Sequence, residues 1–174
     1  MRLSALLILL ALACTGCPAT LKPETMAAQV SVPVHKSVSD IFVAGFGATD
    51  ISAKKPILIT DDDFDQALAS SIESSGLFRK VVRDASGKYQ LQATFVQLDE
   101  QVFGIDMTAS MKVNYMLAST TPKKLVWEKN ISSTHTAGMS DSVISITRLQ
   151  LATEGAVRKN IEQAIQEISK LQLE

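Results

Sequence analysis

The sequence predicts an α+β domain: a mostly antiparallel sheet of about four to five strands with two helices packed on one face, in the order β-α-β-β-β-β-α. Three observations carry that reading. Met107, Ala109, Met111, Val113, Tyr115 and Leu117 alternate with Thr108, Ser110, Lys112, Asn114 and Met116, the period of a half-buried strand. Phe64, Leu68 and Ile72 recur every four residues behind Thr60-Asp61-Asp62-Asp63, the pattern of a capped amphipathic helix. From Leu149 to Leu171 the apolar positions keep helical spacing over six turns.

Taken in order, Asp40 to Phe46 is a short apolar run bounded by turn residues, which predicts a strand buried on both faces. The helix that begins after Thr60 places carboxylates at the positive end of its dipole and ends near Ser75, because Gly76 offers a left-handed cap. Leu77-Phe78 and Val81-Val82 form the next strand. Tyr89, Leu91, Ala93 and Phe95 then alternate, until Phe95-Val96 and Leu98 break parity and predict a bulge. Thr120-Thr121-Pro122-Lys123 turns the chain into a strand through Leu125, Trp127, Ile131 and Ser133. The three successive strands are antiparallel and leave one face free. Ser140-Asp141 is the expected cap of the last helix, and Gly155 within it marks close packing against the sheet or a bend.

The first residues have a different character. Met1-Arg2 precedes an apolar run of eleven residues, Leu3 to Ala13, which is the order of charge and hydrophobicity in an export signal and is too short to span a bilayer. Cys14-Thr15-Gly16-Cys17 follows, and Thr-Gly-Cys after such a run resembles the lipobox of bacterial lipoproteins. Cys14 stands where that family usually carries Leu, and Ala11-Leu12-Ala13-Cys14 is a competing but poorer box that would make the signal unusually short. The resemblance implies removal of residues 1–16, acylation of Cys17 and attachment of the domain to the bacterial cell envelope. With Pro18 rather than Asp after the cysteine, it implies an outer-membrane anchor facing the periplasm in enteric-type bacteria. Residues 17–39, with Pro23 and Pro33 and little periodicity, read as a lipidated N-terminus and tether, and 40–174 as one domain.

Chemistry is sparse. Both cysteines precede the globular part, so a disulfide framework is excluded, and His35 and His135 are the only histidines. No metal or cofactor is expected. Asp61, Asp62, Asp63 and Asp65 lack the alternation and distal Glu of a calcium loop, and Gly45-Phe46-Gly47 lacks the third glycine and helix start of a nucleotide loop. His135 with Asp141 has no nucleophile framed beside it, so an enzyme is not expected; a cell-wall hydrolase is the weakest of the open readings. A net charge of −1 gives no attraction for nucleic acid.

The element order behind a lipobox is similar to that of small envelope lipoproteins such as the lipopolysaccharide-assembly and transport-auxiliary lipoproteins, which have helix-backed sheets. No diagnostic residue of theirs is matched, so none carries a role here. The resemblance implies a non-enzymatic binding or assembly accessory with an envelope protein partner, or alternatively a carrier of lipid or a small ligand. Val102 and Phe103, in the loop Asp99 to Ile105, are the candidate partner contacts, with the free sheet face, an edge strand and the segment Lys54 to Ile59 as further surfaces.

Overall fold

The computed structural model describes residues 19–32, 37–84 and 86–173. The expected signal segment, Cys17 and His35 lie outside them. The elements are β1 (Ala19–Thr20), α1 (Pro23–Met26), β2 (Asp40–Phe46), α2 (Ala48–Ser52), β3 (Ile57–Leu58), α3 (Asp61–Ser75), β4 (Lys80–Val82), β5 (Tyr89–Gln101), β6 (Met107–Thr120), β7 (Lys123–Ala137) and α4 (Ser145–Ile168). β4, β2, β5, β6 and β7 form a five-stranded sheet in that order, and β1 pairs with β3 alone. β2 runs parallel to β4, which returns through the crossover helix α3, and parallel also to β5, while β5, β6 and β7 make the expected antiparallel meander.

The predicted core elements are present. Thr60 caps α3, its Oγ1 accepting from the Asp63 amide at 3.1 Å, and Gly76 takes the left-handed conformation at φ 63°. The β5–β6 register shifts between Phe95 and Gln97, where Val96 turns outward. β2 departs from expectation: Ile41, Val43 and Gly45 are buried but Phe42 and Ala44 only partly so, because the helices cover one face of the sheet and leave the other open. Gly45 is required by close approach, since a Cβ there would lie 2.4 Å from Asp65 Oδ1 and 2.8 Å from the Phe64 ring. Phe64 in turn packs edge-on against Phe95 with centroids 4.7 Å apart.

The last helix begins four residues later than its expected cap. Asp141 Oδ2 accepts from the Gly138 amide at 2.8 Å and Ser142 Oγ from the Ile144 amide at 3.1 Å, so both side chains close the turn before α4 instead of capping it. α4 is fastened to the meander by a buried polar bridge. Tyr115 Oη donates to Asn160 Oδ1 at 3.0 Å; Asn160 Nδ2 donates to the Ile131 carbonyl at 3.0 Å and to Ser133 Oγ at 3.1 Å; Ser133 Oγ donates to the Ala156 carbonyl at 2.8 Å. Every polar atom of Asn160 is used, and burial holds the Tyr115 hydroxyl well above its ordinary pKa, so it stays a donor.

The segment read as a tether requires correction. Leu21, Met26, Ala28 and Val30 are buried in the same core as the helices. The Leu21 amide donates to the Leu58 carbonyl at 3.1 Å, the Ala28 amide to Ser71 Oγ on α3 at 2.8 Å, and Arg158 of α4 to the Thr25 carbonyl at 2.6 Å. From Ala19 to Val32 the chain is a strap across α3 and α4, because four apolar side chains find a place between the helices that outweighs the chain's freedom.

The polar bridge makes a graded stability prediction. Tyr115→Phe removes one hydrogen bond and should cost about 1–2 kcal/mol, while Asn160→Ala, which leaves the Tyr115 hydroxyl and the Ile131 carbonyl without partners, should cost about 3 kcal/mol by urea unfolding. Two substitutions within a few tenths of wild type would contradict the bridge.

Candidate functional site

Val102 and Phe103, expected at a loop tip, sit on an apolar end of the domain larger than the sequence indicated. Strands β5 and β6 meet in a turn over residues 102–106, where Gly104 adopts φ 123° and Phe103 and Ile105 are 83% and 68% exposed. The connection from β7 to α4 lies alongside it, held there by the Met107–Ala137 pairing, and adds Met139, Val143 and Ile144 to the exposed apolar side chains. The contact is close enough that a Cβ on Gly138 would lie 3.2 Å from Asp106 Oδ1. Single exposed apolar residues are ordinary; two adjacent turns that both present them form a patch of the kind that meets a partner or a lipid. Sequence reading missed the second turn because its residues lie about forty positions from the first and only strand pairing joins them.

The open sheet face is of another kind. Thr108 and Thr136 hydroxyls are 2.8 Å apart, Ser110 and Thr134 2.9 Å, and Asn114 Nδ2 donates to Glu128 Oε1 at 3.2 Å, so side chains on β6 and β7 satisfy one another across a wet surface. The segment Lys54 to Ile59 is not a contact surface as a whole: Ile57 and Ile59 are fully buried, and β1 covers β3.

The four aspartates at the start of α3 are divided among separate tasks. Asp61 Oδ1 accepts from the Ala48 and Thr49 amides at 2.7 and 3.1 Å, capping α2. A short helix therefore does follow Gly47, contrary to expectation, with its two leading amides occupied by a carboxylate. Asp63 pairs with Thr60, and Asp65 presses Oδ1 against Gly45 without a hydrogen bond. Asp65 lines an open groove of about 490 Å³ with Phe42, Gln66, Ala69 and Val81, formed because β4 is short and leaves the upper half of β2 without a neighbour. Burial, reinforced by the Asp61 and Asp62 carboxylates and partly offset by the Gly45 backbone, pushes the Asp65 carboxyl up to about 6.

His135 lies on β7 under α4. Gly155 admits it: a Cβ there would lie 1.9 Å from the ring, which accounts for the glycine in mid-helix as close packing rather than a bend. Partial burial lowers its pKa, as do Lys159 and Arg158, with Asp141 opposing, so the ring is neutral near pH 7. Asp141, its neighbour in sequence, is spent on the Gly138 amide. Among the described residues no group of three or more His, Cys, Asp or Glu is placed to hold a metal ion.

No family model matches the sequence, and no curated protein matches it. The fold is shared with solved bacterial structures. A Xanthomonas campestris protein of the family DUF330 is 14% identical over 83% of this chain and 93% of its own, with a TM-score of 0.64. A hypothetical protein of Chlamydia trachomatis is 10% identical over 74% of this chain and 95% of its own, at 0.51. PelC of Paraburkholderia phytofirmans, solved as a dodecamer, is 14% identical over 83% of this chain and 96% of its own, also at 0.51. At these identities the likeness is one of fold.

Asp65 gives a pH prediction whose sign follows from its raised pKa. The folded state holds the Asp65 proton more tightly than the unfolded chain, so this group's contribution is most favourable below about pH 4 and is lost as pH rises to about 6. The stability of wild type relative to Asp65→Asn should fall across that interval and be level above it. A difference independent of pH would contradict the burial assigned to Asp65.

Proposed function

We propose that the chain is a lipid-anchored lipoprotein of the bacterial envelope, attached through acylated Cys17, whose domain serves as a non-enzymatic binding or assembly accessory. The carrying observation is Cys14-Thr15-Gly16-Cys17 directly after the apolar run Leu3 to Ala13. Two or more acyl chains on one cysteine give stable attachment, each buried methylene contributing about 0.8 kcal/mol. Pro18 after the cysteine favours the outer membrane, with the domain in the periplasm. An accessory role is favoured over catalysis because Asp61 caps α2, Asp141 closes a turn, His135 packs under Gly155, and the Asp65 groove holds no histidine, cysteine or lysine to work with that carboxyl. It is favoured over carriage of a lipid because both grooves are open: the one beside Lys159 is lined by polar side chains, and the one at Asp65 carries as many polar as apolar ones. The flat, wet face of β6 and β7 is the surface this reading offers to an envelope protein.

Metabolic labelling with a fatty acid tests the anchor. Label should be retained by Cys14→Ser and abolished by Cys17→Ser; the opposite pattern would move the anchor to Cys14, and label on neither parent nor variants would remove it.

A further inference from the structure

We propose that the apolar end of the domain, built from Phe103, Ile105, Met139, Val143 and Ile144, inserts into the surface of the same bilayer that holds the acyl chains of Cys17. The inference rests on the anchor proposed above. It follows from where the chain enters its fold. Ala19 pairs with Ile57, and Lys55, two residues before Ile57, lies close enough to Glu100 to act on its carboxyl. Glu100 is one residue short of the end of β5, which leads directly into the turn carrying Phe103. On the helix layer, Thr153 Oγ1 donates to Glu100 Oε1 at 3.0 Å, two turns of α4 below the connection carrying Val143 and Ile144. Ile59 is held to Ser52 at the far end of α2, the short helix that follows Gly47 beside Phe95 of β5, so β1, where the strap starts, lies toward the end of β5 that leads into the apolar turn.

Cys17 is two residues before Ala19, and two extended residues span at most about 7 Å. With so short a reach an acylated Cys17 keeps this end of the domain at the lipid surface. A tether of some twenty residues, as the sequence implied, would impose no such closeness. Apolar side chains on two projecting turns, and not in a groove, are the shape that enters the headgroup layer, and each adds buried apolar area to that of the acyl chains.

Charge narrows the lipid. The charged residues of the two turns, 102–106 and 138–144, are Asp106 and Asp141, with no lysine or arginine. Arg148, whose guanidinium donates to the Ser142 carbonyl at 2.8 Å, is buried and engaged there, so the charge that these turns expose is acidic, the surface expected is zwitterionic phospholipid, and adding anionic lipid should not strengthen insertion.

The test uses acylated full-length protein in phosphatidylcholine–phosphatidylethanolamine vesicles with bromine-labelled acyl chains. Trp127, the one native tryptophan, lies on β7 ten residues from Ala137, about 33 Å away along the strand, and serves as the internal control. Phe103→Trp in a Trp127→Phe background, and separately Ile105→Trp in the same background, place the reporter on exposed positions that tolerate it. The introduced indole should shift to the blue and lose most of its emission to the bromine, while Trp127 of the wild type keeps its own. Vesicle-bound, fatty-acid-labelled protein whose introduced indole is not quenched would overturn insertion and leave the anchor standing. A blue shift without bromine quenching would assign the patch to a second copy or another protein and overturn it equally. Protein that neither binds vesicles nor takes label would remove the anchor and this inference with it.

Discussion

The fastening of α4 to the meander is the interaction on which the rest of the structure depends. A long helix laid over three antiparallel strands buries its apolar stripe without direction, since the hydrophobic effect alone would accept several rotations and slides of the helix. The Tyr115–Asn160–Ser133 bridge admits one. Asn160 can satisfy its amide only where the Ile131 carbonyl and Ser133 hydroxyl meet it from β7 and the Tyr115 hydroxyl from β6, and a shift by one turn would orphan all of them. Gly155 one turn earlier lets the helix descend onto His135, so the same register is set twice, once by hydrogen bonds and once by space.

With α4 fixed there and α3 seated on β2 through Gly45 and Phe64, the two helices leave a furrow between them. The strap from Ala19 to Val32 occupies that furrow. Its polar groups are met from both sides, by Ser71 of α3 and Arg158 of α4, so it depends on both helices being in place. The consequence reaches function. A lipid-anchored domain on a long tether samples a wide volume and can meet a partner at a distance, whereas one whose fold starts beside its anchor is held in one orientation. On the anchor proposed for Cys17, the apolar end would face lipid and the polar sheet face would be left to an envelope protein.

What could be read from the residues divides along a physical line. β6, α3 and α4 are legible because each buries one face against a regular partner and so carries a clean period of two or of 3.6. The Phe95–Val96 break announced its bulge for the same reason. The strap is not legible, because Leu21, Met26, Ala28 and Val30 fill pockets between two helices at spacings set by those helices and not by the strap's own backbone. The fastening of α4 is likewise invisible in sequence, since Tyr115, Ser133 and Asn160 come from three elements. Of the candidate site, Phe103 could be picked out as an apolar residue beside a glycine in a turn, but its companions Val143 and Ile144 are brought to it only by the pairing of β6 with β7.

The integration of residues 19–32 into the fold is the central claim, since the proposed orientation at the membrane derives from it. Native-state amide hydrogen exchange addresses it directly at Leu21, Ala27 and Ala28, whose amides donate to Leu58, Pro23 and Ser71. The structure predicts protection at Leu21 and Ala28 approaching that of α3. Exchange at these positions as fast as in an unfolded peptide, with α3 and β6 protected, would contradict it and return the segment to a tether.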